Sequence, residues 1–84
     1  MSVYFITFRS VTLAQRGEQA LRRSGVRCSL LRTPRWMEEQ GCGYCLRVRQ
    51  EDVGSSIQLL RQGQILFRKV YSQGEDGSVE EVKL

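Results

Sequence analysis

Val3 to Phe8 (Val-Tyr-Phe-Ile-Thr-Phe) is β-branched and aromatic and apolar at both parities, the pattern of a central strand. The period then changes. Leu13, Ala14, Gly17, Ala20, Leu21 and Ser24 form a small-residue stripe at helical spacing, behind a Thr12-Leu-Ala-Gln15 sequence with the form of a capping box. Gly25 stands where a left-handed residue would end that helix. Val26, Cys28 and Leu30 alternate with Arg27 and Ser29, a half-buried second strand stopped by Thr33-Pro34 because proline cannot donate to a ladder.

Residues 32–41 read as a loop, with Trp36 as an anchor packing on the core. Tyr44, Leu46 and Val48 alternate with Cys45, Arg47 and Arg49 in a third strand. Glu51 and Asp52 suit a helix start, Val53, Ile57 and Leu60 supply its buried face, and Gly63 closes it. Ile65 to Tyr71 reads as the last strand. The order βαββαβ fits an α+β, ferredoxin-like sandwich: two helices on one face of a four-stranded antiparallel sheet. Residues 1–71 make one domain, and the acidic tail 72–84 is expected to be frayed or a short added strand.

Eighty-four residues leave no room for a second core. No uncharged run approaches a membrane span, and no basic segment leads into an apolar one as in a signal peptide. The chain therefore reads as cytoplasmic with reduced cysteines. Charge is uneven: residues 1–50 carry nine arginines against three acids, a balance of +6, whereas residues 51–84 carry four cations against six acids. Arginine clusters suit phosphates, carboxylates or acidic protein surfaces. The third strand offers Cys45, Arg47 and Arg49 on its polar parity rather than stacking aromatics, which argues against RNA.

The chemistry concentrates in Gln40-Gly-Cys42-Gly-Tyr-Cys45-Leu-Arg47. Without histidine, a thiolate is the available nucleophile near neutral pH. Cys42 lies between Gly41 and Gly43, which carry no side chain to block its sulfur, and is the best candidate. Cys45 falls on the helix-free face, and Cys28 shares parity with Val26 and Leu30 in the core. A cation about 5 Å from Cys42, from Arg35 or Arg47, would lower its pKa by roughly 0.6 to 2 units. An extended Cys42–Cys45 pair would span about 10 Å, too far for a disulfide unless the chain turns at Gly43-Tyr44. Three cysteines cannot complete a zinc site within one chain, although two chains sharing two pairs could.

Thr33-Pro34-Arg35, then Cys42-Gly43 and Arg47, in that order behind a strand ending in Phe8, Ser10 and an Ala/Leu-rich helix, resembles the small bacterial selenium/sulfur carrier-like family over residues 3–71. The resemblance implies a persulfide or selenopersulfide held on Cys42, with Arg35 and Arg47 beside it and no cofactor. It implies a carrier rather than an enzyme, with a sulfur or selenium donor of the cysteine desulfurase type and an acceptor protein as partners. The chain departs from the family in the bulky 36–40 segment and in Cys45, which could act as a resolving thiol. Two alternatives stand beside it: a module binding an anionic ligand or protein, and a thiol–disulfide oxidoreductase using Cys42 and Cys45. The half-open sheet is compatible with a homodimer.

Overall fold

The computed structural model describes residues 2–34 and 43–83. Its elements are β1 (Val3–Phe8), α1 (Val11–Arg23), β2 (Ser29–Arg32), β3 (Tyr44–Arg49), α2 (Val53–Gln62, entered through a 3-10 turn at Gln50–Asp52), β4 (Val70–Gln73) and β5 (Val79–Val82). All strand pairs are antiparallel, in the order β2-β3-β1-β4-β5, so the apolar β1 is central. The sheet has five strands, one more than the sequence pattern gives. Within the acidic tail, a turn across Gly74–Ser78, closed by Gly74 N–H to Ser78 O at 2.9 Å, returns Val79–Val82 along β4. Glu80 and Glu81 then blunt that outer edge against further pairing.

Both helices lie on one face. Ile6, Phe8, Leu46, Val48 and Val70 from the sheet are buried against Ala14, Leu21, Ile57 and Leu60 from the helices. Gly17 lets α1 approach closely: a Cβ there would stand 3.0 Å from Phe8 Cζ, 3.1 Å from Leu60 Cδ2 and 3.2 Å from Leu46 Cδ1. No described helix is long and apolar enough to cross a membrane.

Local chemistry sets the boundaries. The cap of α1 is Ser10, whose hydroxyl accepts from Leu13 N–H at 3.2 Å, not Thr12. Ser10 still has extended backbone, as a cap requires, whereas Thr12 already sits in the first turn. Helix α1 ends in a Schellman pair, Val26 N–H to Leu21 O and Gly25 N–H to Arg22 O, with Gly25 at φ +84° as its sequence position predicts. Helix α2 ends the same way, but Gln64 rather than Gly63 takes the left-handed position, at φ 55°. Val26 and Cys28 are buried in the core, but the ladder of β2 begins only at Ser29, because the Schellman turn is still steering the chain at Val26.

The last predicted strand starts five residues late, at Val70. Ile65 N–H is spent on the α2 cap, and Arg68 and Lys69 then bulge opposite Thr7. Arg68 N–H donates to Thr7 O at 2.7 Å, and Thr7 N–H to Lys69 O at 2.8 Å. Lys69 N–H, displaced from the ladder, donates instead to Thr7 Oγ1 at 3.0 Å.

Candidate functional site

Strand β2 ends and β3 begins at one point, tied by Thr33 N–H donating to Gly43 O at 3.0 Å. This bond forms the neck of the segment that carries Arg35, Gly41 and Cys42, three predicted site residues that lie outside the described residues. Pro34 follows Thr33 and removes the next donor, so the ladder stops at the neck. Gly43 itself is buried and is covalently the neighbour of Cys42.

Cys45 is two residues into the sheet from that neck. Its cross-strand partners are Thr7 on β1 and Leu31 on β2, and it packs with Phe5 on the helix-free face. Strand parity predicts this face correctly but not the exposure, since Cys45 is 0% exposed. A thiol is short, and the flanking side chains of Phe5 and Leu31 stand taller on the same face. Burial raises the Cys45 pKa above the ordinary thiol value, and interaction with the Thr33 hydroxyl opposes this. That hydroxyl is itself buried and, among the described residues, makes no hydrogen bond of normal geometry. A poorly satisfied polar group thus sits beside a buried sulfur at the point where β2 meets β3.

Cys28 lies in the main core, as its parity predicts. Burial raises its pKa, opposed by the Arg22 guanidinium, whose Nη2 donates to Cys28 O at 3.0 Å. Cys28 and Cys45 are both free thiols. Among the described residues, no group of three or more His, Cys, Asp or Glu side chains could hold a metal ion.

Arg47 is exposed on the helix-free face, opposite Phe5 on β1 and Ser29 on β2. It stands four residues beyond Gly43, about 13 Å along an extended strand. The structure groups it with Arg27, Arg49, Ser29 and Val3 around a concavity of about 350 Å³ at the end of the sheet away from the neck. Arg49 is held by Glu51 at 3.5 Å; Arg27 and Arg47 have no ion pair or hydrogen bond among the described residues.

Two residues near the neck escape sequence reasoning. Thr33 reads there only as a strand stop, although a threonine closing an alternating strand beside a cysteine-bearing one is a signal. Arg9 reads only as the end of an apolar run. Because Phe8 pairs with Tyr44 at the end of the β1–β3 ladder, Arg9 leaves the sheet where Gly43 enters it.

Comparison with curated proteins found no match, and comparison with solved structures found none. The family model described as "Putative Se/S carrier protein-like" matches residues 3–72, which takes in β1, both helices, β2, β3 and all of β4 but its last residue. The chain belongs to this selenium/sulfur carrier-like family.

Proposed function

We propose that the chain carries a sulfur or selenium atom on Cys42 as a persulfide or selenopersulfide and passes it to a partner protein. The single observation that carries this reading is the family match across residues 3–72. Two structural facts support it. The other two thiols are buried with raised pKa values, which disfavours both as the reactive cysteine and leaves Cys42 as the candidate. Gly43, next to Cys42, is anchored to Thr33 at the mouth of the segment, so the carrier position begins from a fixed backbone point.

Loading is a thiol exchange. The Cys42 thiolate attacks the terminal sulfur of a donor persulfide; one S–S bond forms, the donor's S–S bond breaks, and the donor cysteine leaves as a thiolate that takes up the proton. Electrons balance without an external oxidant, and no cofactor enters the step. A donor of the cysteine desulfurase type and a thiol-bearing acceptor complete the cycle. Arg35 is the proposed charge partner of the anionic persulfide, with Arg47 at the limit of its reach, and Gly41 and Gly43 leave the sulfur open to a second protein. The strand order β2-β3-β1-β4, with both helices on one face, supports a ferredoxin-like reading of the frame. A reducing cytoplasm is the proposed setting, where Cys42 stays a free thiol.

A resolving role for Cys45 requires that its cover open first, and the oxidoreductase reading shares that cost. The anion-binding reading is favoured by one specific observation, the concavity lined by Arg27, Arg47 and Arg49. Alkylation with iodoacetamide at pH 7, followed by peptide mass analysis, tests the assignment. Cys42 should react at least tenfold faster than Cys28 and Cys45; equal rates would remove its claim to be the carrier.

A further inference from the structure

Three large apolar side chains are exposed among the described residues: Val11 (37%), Leu31 (39%) and Leu66 (76%). All three lie at one end of the molecule. Antiparallel pairing brings the end of β1, the end of β2, the start of β3 and the start of β4 together, and this is the end where Gly43 enters the sheet. Val11 opens α1 there, Leu31 precedes the last residue of β2, and Leu66 sits on the connection leading into β4.

Leu66 is the most informative of the three. It stands between two concavities, one of about 240 Å³ lined with Arg9, Leu13, Phe67 and Arg68, the other of about 270 Å³ lined with Leu60, Arg61, Gln64, Ile65 and Phe67. The cations around the two are Arg9, Arg61 and Arg68, of which Arg68 has a partner of its own, and among the described residues no acidic side chain lines either. A leucine three-quarters exposed buries little of its own apolar surface within this chain. It is an apolar knob flanked by cations, on the connection that leads into β4.

We propose that this end of the molecule, centred on Leu66 with Arg9 and Arg61 at its rim, is the surface on which the sulfur-donor protein docks. The inference rests on the carrier reading and adds the location and chemistry of the partner's contact. The donor presents an apolar recess for Leu66 and an acidic rim for the arginines. Seated there, the donor lies at the end of the sheet where Gly43, the covalent neighbour of Cys42, enters β3, so binding and transfer share one end of the molecule. The apolar anchor supplies residence time, and the charged rim supplies orientation and encounter rate.

The test compares two sulfur sources. A cysteine desulfurase with cysteine must dock to deliver sulfur, whereas inorganic polysulfide need not. Loading of Cys42 is followed by mass in the wild-type chain, Leu66→Ser and Arg61→Glu, with circular dichroism confirming the fold of each. Loading by the desulfurase should fall about tenfold in Leu66→Ser and several-fold in Arg61→Glu, the latter with weakened salt dependence. Loading by polysulfide should stay at the wild-type rate in both. A desulfurase that loads wild type and Leu66→Ser equally, or a Leu66→Ser that loses both routes together, overturns the docking surface. So does a wild-type chain that takes sulfur from polysulfide alone. A wild-type Cys42 that takes sulfur from neither source overturns the carrier reading itself, a distinct result.

Discussion

Replacing threonine by valine at two positions, Thr7 and Thr33, makes the same chemical change with opposite expected signs. Both side chains are buried, at 2% and 8% exposure. Both replacements keep a β-branched side chain of nearly the same shape, so strand preference and packing volume are held constant. The Thr7 hydroxyl is fully used: it accepts from Lys69 N–H at 3.0 Å and lies 3.2 Å from Lys69 O, to which it can donate. Valine there leaves the displaced Lys69 N–H at the bulge without a partner and should cost about 1 kcal/mol. Among the described residues the Thr33 hydroxyl makes no hydrogen bond of normal geometry, its polar neighbour being the Cys45 thiol, so the native chain already bears most of the desolvation of that group. Valine there removes the burden, keeps the Thr33 N–H to Gly43 bond, and should stabilise by about 1 kcal/mol.

The two variants should therefore differ by about 2 kcal/mol. Urea unfolding reads this directly: with m on the order of 1 kcal/mol/M for a chain this short, the midpoints should separate by about 2 M, Thr33→Val above wild type and Thr7→Val below. Thermal midpoints should split by roughly 8 to 16 °C in the same sense. A Thr33→Val variant that loses stability as Thr7→Val does would refute the reasoning, because it would mean that the Thr33 hydroxyl is well satisfied in the folded chain, by Cys45 or by another group. A polar group held at a cost next to the proposed carrier segment is the pattern expected of a position that serves function rather than stability.

Three further outcomes follow from other parts of the fold. Gly17→Ala should destabilise by about 1 kcal/mol in urea unfolding despite the better helix propensity of alanine, since Phe8, Leu46 and Leu60 crowd its Cβ and are themselves fully buried; a gain in stability would show that the core gives way there. Gln64→Gly should stabilise by about 0.5 to 1 kcal/mol and Gly25→Ala should destabilise by a similar amount, because both sites hold positive φ and a Cβ at Gly25 would meet nothing; equal effects of one sign would contradict the two end geometries. Burial raises the Cys45 pKa, so its folded thiol stays neutral where an unfolded one ionises. Stability associated with it is fully present below the unfolded value of about 8.5 and is lost as pH rises through that value toward the folded pKa. The alkaline fall measured by unfolding between pH 8 and 10.5 should be shallower in Cys45→Ala, and an unchanged slope would place that sulfur in water.

Periodicity reached far into this fold where one physical rule acts alone. The bounds of β1 and β3 follow from alternation and β-branched content, and Gly25 marks its helix end because no other residue type adopts that backbone cheaply. Rules that compete were harder to read. Ser10 and Thr12 are both plausible caps, and only the extended backbone at Ser10 decides between them. Ile65 and Phe67 have the look of a strand, yet a helix cap and a bulge consume the hydrogen bonds that a ladder would need. Parity placed Cys45 on the helix-free face, but exposure depends on the height of its neighbours, which alternation does not encode. Arg47 shows the same limit: it lies away from the Gly43 end along β3, and its companions Arg27 and Ser29 come from β2 and the approach to it. Leu66 has no periodic signal at all, because its significance lies in which strand ends meet.

The central claim is sulfur carriage by Cys42, and the most direct measurement is the intact and peptide mass of the chain after incubation with a cysteine desulfurase and cysteine. Cys42→Ser and Cys45→Ser run beside the wild type. The account predicts an added sulfur, about 32 Da, that maps to the Cys42 peptide, survives in Cys45→Ser and is lost in Cys42→Ser. An adduct on Cys45 or Cys28 that persists in Cys42→Ser, or a folded wild-type chain that gains no mass, would contradict it.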